Sequence, residues 1–225
     1  MKNINQSRFS ILIVDDDKLL TLSMTKFFSS HNVKVTVFQK FCEAYEFLSG
    51  DYTGFDLLIL DINLLDGNGI ELLELFRSKN DETPVIMLSA NTDENVKITS
   101  LDIGADDYIC KPFSLNELFS RINAILRRCA KRKPRAGEDE ADDGILNCPG
   151  LCIDTRNRSV TVDGEKVKLR FIEFELIKLF VLKKNSIVKS EKILEEIWKD
   201  GLVDKKTIEP HISRLRKKLG PYGAR

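Results

Sequence analysis

Four separated stretches of the sequence carry residue types that together could hold a cation and a phosphoryl group. They are Asp15, Asp16 and Asp17 in "ILIVDDDKLL", Asp61 in "LLILDIN", Ser89 in "IMLSA" and Lys111 in "YICKPF". A cluster of carboxylates offers hard oxygen donors to a divalent cation such as Mg2+, which keeps several waters and pairs with phosphate oxygens. An aspartate in such a place can attack phosphorus and carry the phosphoryl group. The cation would offset the negative charge of both nucleophile and transferred group, while a nearby ammonium and hydroxyl hold the remaining oxygens. Taken singly, each residue reads as a solvated strand end, and Asp17 is read as no more than that.

The chemistry needs elements that bring these positions to one place. "FSILIV", "VKVTVF", "DLLILD", "PVIMLSA" and "DDYICK" read as strands, and an amphipathic helical stretch follows each. The strands are nearly continuous apolar runs, as expected where helices cover both faces of a parallel sheet. Five such units predict an α/β fold, a doubly wound five-stranded parallel sheet. In such sheets ligands bind beyond the carboxyl ends of the strands. Asp15–Asp17, Asp61, Ser89 and Lys111 each end a strand, so they are expected to converge on one edge.

The pattern breaks at "CAKRKPRAGEDEADDG", a basic block followed by an acidic one without apolar periodicity, read as a charged linker over 129–147. Short strands follow in "LCIDT", "SVTVDG" and "KVKLR", then helical stretches "FIEFELIKLFVLKKN", "SEKILEEIWKD" and "TIEPHISRLRKKL". The reading is a first domain over 1–128 and a smaller α+β domain over 148–225. The formal net charge of zero hides a split: residues 1–127 hold 12 basic and 19 acidic side chains, residues 148–225 hold 18 and 11. An acidic half and a basic half point to two different partners.

No apolar run of about 18 residues exists, so no membrane span and no membrane partner are expected. The first residues lack the apolar core of a secretory signal. The chain has 5 scattered cysteines, an odd number, which suits a reducing cytoplasm rather than a disulfide framework. Cys148 and Cys152 have no second pair of metal-type ligands and read as small buried thiols rather than a zinc site.

The strand-end residues resemble the CheY-like receiver domain of bacterial two-component response regulators over about Arg8 to Arg128. The resemblance implies the flavodoxin-like strand order of such doubly wound sheets. It also implies that Asp61 is the phosphoacceptor, that Asp15, Asp16, Asp61 and the Asn63 backbone carbonyl hold Mg2+ or Mn2+, and that Lys111 clamps the phosphoryl group. Ser89 takes the switch-hydroxyl position and Tyr108 that of the rotating aromatic. Lys111–Pro112 is expected to be cis, and Asn63 and Asn91 stand where side chains tune the phosphate's lifetime. The receiver would not be an enzyme on other substrates: it catalyses its own phosphotransfer from phosphohistidine and its slow dephosphorylation. Receivers usually carry proline four residues after the phosphoacceptor; this sequence has Leu65. Haloacid-dehalogenase-type phosphotransferases also use an aspartate after a strand, but they need a second acid two residues on, where this chain has Asn63.

The basic half is similar to the winged-helix output domain of the OmpR/PhoB subfamily over about Cys148 to Leu219. In the last helix Ile208, Ile212, Leu215 and Leu219 form an apolar stripe. Lys206, His211, Ser213, Arg214 and Arg216 are read as off that stripe and as candidate DNA contacts in the major groove. Pro210 is tolerable there if Thr207 caps the helix, because it then falls in the first turn. The subfamily continues with a hairpin, the wing, whereas the sequence given stops at "GPYGAR"; the wing and its DNA contact are expected to be truncated.

The resemblance also implies a homodimer on activation, formed through the fourth helix, fifth strand and fifth helix. Its ion pairs would be Lys97 with Glu117, Asp107 with Arg121 and Asp106 with Arg128, while Asp102 lacks a basic partner at Asn123. Implied partners are a sensor histidine kinase, promoter DNA with direct-repeat half-sites, and RNA polymerase. The expected function is a phosphorylation-controlled transcriptional regulator. The alternatives are a regulator that works without phosphorylation and a signalling protein whose basic domain binds protein.

Overall fold

The computed structural model describes residues 9–50, 52, 54–79, 82–90, 93–130, 144–198 and 205–224. The chain divides into two compact units, Met1–Ile122 and Asn123–Arg225.

The first unit alternates strands and helices in the predicted order: β1 (Phe9–Val14), α1 (Lys18–Ser30), β2 (Val33–Phe38), α2 (Phe41–Ser49) and β3 (Leu57–Asp61). A small hairpin follows, β4 (Asn63–Leu64) with β5 (Gly67–Asn68), and then α3 (Gly69–Lys79), β6 (Val85–Ser89), α4 (Glu94–Ile103), β7 (Asp107–Cys110) and α5 (Leu115–Ala130), whose residues from Asn123 on belong to the second unit. The apolar pattern of the sequence does not predict that hairpin. The five long strands form one sheet in the order β2-β1-β3-β6-β7, all pairs parallel. Ile11 to Val14, Leu57 to Leu60 and Val85 to Leu88 are fully buried, which is why their sequences show apolar runs rather than alternation. Each such aliphatic side chain contributes about 1.5–3 kcal/mol when buried. The order reverses beside β1, and the crevice there lies outside the carboxyl ends of β1 and β3.

Register places the chemistry. Asp61 pairs with Leu88, so Ser89 lies one step further along β6, and Ser89 pairs with Cys110. The Lys111 amide donates to the Ser89 carbonyl at 2.7 Å, extending that pairing to the lysine. The Lys111–Pro112 peptide is cis, as expected.

The second unit holds a four-stranded antiparallel sheet in the order β11-β10-β9-β8: β8 (Ile145–Cys148), β9 (Leu151–Asp154), β10 (Ser159–Val162) and β11 (Glu165–Val167). β8 opens inside the stretch read as linker; residues 131–143 of that stretch lie outside the described residues. Its turn into β9 needs Gly150, whose φ is +76° and over which the Tyr222 ring lies. Cys148 and Cys152 are free and half-buried. Helices α6 (Phe171–Leu182), α7 (Ser190–Ile197) and α8 (Ile208–Leu219) complete the unit. Thr207 is the N-cap residue of α8, so Pro210 falls in the first turn as anticipated, although the Thr207 hydroxyl makes no capping bond.

Candidate functional site

Asp15, Asp61, Ser89 and Lys111 meet at the carboxyl edge of the sheet. The Lys111 Nζ lies 2.8 Å from Asp15 Oδ2 and 2.7 Å from Asp61 Oδ2. Asp15 and Ser89 are completely buried and Asp61 nearly so. One ligand atom from each of Asp15, Asp16 and Asp61 lies within 4.8 Å of the others. Three carboxylates so close, with one ammonium between two of them, form an oxygen-rich and net-negative site that fits a hard divalent cation. Burial raises the Asp15 carboxyl above its usual pKa, and the hydrogen bond from Lys111 only partly offsets this. For Lys111, burial acts to lower the pKa, but its bonds to Asp15 and Asp61 outweigh it and the net shift is upward, so it stays an ammonium.

Tyr108 is buried on β7, and its side chain hydrogen-bonds to Ser89; burial nonetheless pushes its phenol above the usual range. Hydroxyl and aromatic therefore meet across adjacent strands, Ser89 from the end of β6 and Tyr108 from the second position of β7. Asn63 is exposed, and its amide approaches Asp61 Oδ1 at 3.4 Å. Asn91 lies outside the described residues.

In the second unit, α8 packs across α6. Ile208, Leu215 and Leu219 are buried and Ile212 half-buried, in line with the apolar stripe. Two expected DNA contacts are corrected by the same geometry. His211 is completely buried and Arg214 is 9% exposed. Arg214 Nε donates to Glu173 Oε1 of α6 at 3.1 Å, its guanidinium lies 2.6 Å from His211 Nδ1, and Lys218 Nζ lies 2.9 Å from Glu173 Oε2. These side chains share the inward face because 208, 211, 215 and 219 follow helical spacing, and Arg214 can be buried because Glu173 neutralises it. Lys206, Ser213 and Arg216 are exposed.

Comparison with known proteins agrees with this architecture. Residues 11–123 match the family described as "Response regulator receiver domain", and residues 164–225 match "Transcriptional regulatory protein, C terminal". The chain is similar to the response regulator ArlR of Staphylococcus haemolyticus, 34% identical over 216 residues that cover 95% of this chain and 92% of the relative. It is also 34% identical to the response regulator SaeR of Staphylococcus aureus (strain USA300), covering 93% of this chain and 88% of the relative. Among solved structures, it matches response regulator DrrB, a Thermotoga maritima OmpR/PhoB homolog, with a TM-score of 0.50 and 26% identity over 96% of this chain and 92% of DrrB.

The chain belongs to the response-regulator family, in its OmpR/PhoB subfamily. As a two-component response regulator it couples a phosphorylation-controlled receiver to a DNA-binding domain that regulates transcription. No helix among the described residues is long and apolar enough to cross a membrane.

On the response regulator's α4–β7–α5 face, one expected intersubunit pair, Asp107 with Arg121, forms within one chain, and Arg121 also reaches Glu117. Arg121 Nη1 lies 3.1 Å from Asp107 Oδ2, and its Nη2 lies 3.0 Å from Glu117 Oε1 one helical turn away. Burial raises the Asp107 carboxyl despite the Arg121 charge. Asp106 is a correction: it is 2% exposed, lies 2.8 Å from Arg77 of α3, and accepts the Val85 amide at 2.9 Å. Its direction follows from strand alternation, which sends neighbouring residues at the start of β7 to opposite faces. Its expected partner, the Arg128 side chain, lies outside the described residues. Lys97 is half-buried on α4.

Residues given no role in the site from sequence, Asp17 among them, also shape this response regulator's site. Asp17 is the N-cap of α1, accepting the amides of Leu19 and Leu20 at 2.9 Å; an aspartate just before a helical period is a usable cap signal. Asp66 accepts the amides of Phe41 and Cys42 at 2.7 and 3.1 Å, fastening the loop after Asp61 to the start of α2. Gly69 begins α3 so close under β3 that a Cβ would stand 1.9 Å from the Asp61 carbonyl oxygen. That tight approach has no local signature beyond a glycine before a helix.

Proposed function

We propose that Asp61 is the phosphoacceptor, that Asp15, Asp16, Asp61 and the Asn63 carbonyl hold Mg2+, and that phosphorylation favours a dimer whose α8 helices read paired half-sites in promoter DNA. The observation that carries this reading is the Lys111 ammonium bridging Asp15 and Asp61 in a buried, acid-rich pocket.

The cation supplies charge neutralisation for an anionic nucleophile meeting an anionic phosphoryl group. The chain supplies the rest. An Asp61 carboxylate oxygen forms a bond to the phosphorus of a kinase phosphohistidine as the nitrogen–phosphorus bond breaks, and the imidazole leaves as the neutral or protonated base. Lys111, already within hydrogen-bond distance of Asp61, donates to the arriving phosphoryl oxygens. The buried Ser89 hydroxyl, next along the edge, donates to another, drawing on its contact with Tyr108. Water then hydrolyses the acyl phosphate, returning the Asp61 carboxylate and inorganic phosphate.

Exposed Lys206, Ser213 and Arg216 are the proposed DNA contacts, Lys206 to backbone phosphates and Arg216 to a base edge. Lys97 and Glu117 mark the proposed dimer face, whereas Arg121 is 8% exposed and paired with buried Asp107. The acidic excess of the first half and the basic excess of the second suit a kinase and a polyanion respectively.

The test uses the full chain with beryllofluoride or acetyl phosphate and Mg2+. An adduct in the wild type that disappears in Asp61→Asn, together with tighter promoter binding in the adduct, supports the reading. An adduct that survives Asp61→Asn, or promoter affinity indifferent to the adduct, rejects it.

A further inference from the structure

The position where receivers usually carry proline is Leu65, and its backbone does something proline cannot. The Leu65 amide donates to Asp16 Oδ2 at 2.7 Å, across 49 residues of sequence. Proline has no amide hydrogen, so that bond would vanish with it. The Leu65 side chain itself is 93% exposed and contributes no packing. The amide, not the isobutyl group, is therefore the part that acts.

The surroundings say what it acts on. Asp16 is half-buried at the mouth of the acid cluster, and one of its ligand atoms lies within 4.8 Å of ligand atoms of Asp15 and Asp61. Asp15 is held by the Asp17 amide at 3.0 Å and by Lys111, and Asp61 by Lys111. The bond from Leu65 is the counterpart for Asp16. It comes from a turn that is itself fastened, because Leu64 pairs with Gly67 and the neighbouring Asp66 is tied to the α2 amides.

We infer that the Leu65 amide is a positioning group for the metal site, holding the Asp16 carboxylate in its ligating orientation so that this chain binds its divalent cation more tightly than the same chain with proline there. A carboxylate oxygen that accepts a hydrogen bond keeps a lone pair, and its partner oxygen stays free to ligate. Outer hydrogen bonds of this kind orient metal ligands, and losing one typically weakens metal affinity about 10–100-fold. The inference rests on the metal reading proposed above and adds to it a residue that no side-chain motif would reveal.

The experiment measures Mn2+ affinity of the full-length chain by calorimetry or by the loss of the free-ion paramagnetic resonance signal, with no phosphoryl donor present. Leu65→Ala keeps the amide and is expected to bind Mn2+ like the wild type. Leu65→Pro removes the amide and is expected to raise the Mn2+ Kd about tenfold or more. The four non-glycine residues of positive φ among the described residues are Asn32, Arg158, Asp163 and Asn185, so Leu65 has no left-handed backbone that proline would clash with. Should the proline variant lose its metal-free thermal transition, replacing the Leu65 peptide bond by an ester deletes the amide donor without the proline ring and decides the matter. A Kd unchanged or lowered in the folded proline or ester chain overturns the inference while leaving the metal site intact. A Kd raised equally by Leu65→Ala overturns it too, since the side chain would then be responsible. Failure of the wild type to bind Mn2+ more tightly than Asp16→Ala would instead overturn the metal site on which the inference stands.

Discussion

At the scale of single residues, the distinction that matters is between charges facing water and charges paired inside. Asp106 and Arg77 are nearly inaccessible, with side chains 2% and 5% exposed. An exposed dimer contact contributes about 0–1 kcal/mol, whereas removing one partner of a buried pair costs about 3–5 kcal/mol. Asp106→Ala is therefore expected to lose several kcal/mol in chemical denaturation of the unphosphorylated chain; a change within about 0.5 kcal/mol would return Asp106 to the surface. Arg214 and Arg216 make the same contrast two residues apart. Arg214→Ala leaves the fully buried Glu173 with Lys218 and the Arg170 amide and is expected to destabilise the second unit by a similar amount. Arg216→Ala is expected to leave thermal stability nearly unchanged and to weaken specific promoter binding, with discrimination of about 1–3 kcal/mol lost at one base pair. Reversed results in melting and gel-shift experiments would reverse the assignment of the two arginines.

At the scale of elements, what can be read from sequence divides by the range of the forces involved. The five long strands are legible because burial on both faces removes polar residues from each run, and the strand ends are legible because polarity returns abruptly there. The buried face of α8 is only half legible. Its apolar stripe follows helical spacing, but Glu173, which makes Arg214 acceptable inside, is 41 residues away and leaves no local trace. The same holds for Arg77 and Asp106, 29 residues apart, and for the Leu65 amide, which has no side-chain signature. The β4–β5 hairpin is silent in the sequence because two-residue strands carry no period. Its Asp66 offers a test at this scale. The α2 amides of Phe41 and Cys42 hold the Asp66 carboxyl below the usual aspartate range. A carboxyl lowered on folding stabilises the fold above its unfolded pKa and loses that contribution as pH falls through the folded value. The unfolded value is the ordinary one for aspartate, about 3.9. The stability gap between wild type and Asp66→Ala should thus be full at neutral pH and shrink as pH drops below about 3.9. A gap that stayed constant down to the acid limit of urea titrations would show that the charge on Asp66 does not matter to the cap.

At the scale of the whole molecule, an acidic receiver and a basic output unit on one chain must exchange information as free energy. If the phosphorylated receiver acts by favouring a pair, then the phosphoryl group and a two-site DNA are linked ligands of one equilibrium. A coupling of about 1–3 kcal/mol corresponds to roughly 5–150-fold in affinity, and it is reciprocal. Whatever factor beryllofluoride adds to the affinity for DNA bearing two half-sites, that DNA must add to the affinity for beryllofluoride. DNA bearing one half-site cannot recruit a second copy and should add almost nothing, because a ligand that does not discriminate between two states shifts neither. Titrating beryllofluoride with Mg2+ against the full chain, alone and with saturating one-site or two-site DNA, reads both numbers. Tightening by the two-site DNA only, matching the factor measured in the other direction, places control in the pairing of copies. Equal tightening by both DNAs would place it inside the single chain, and the α4–β7–α5 face would then lose its regulatory role.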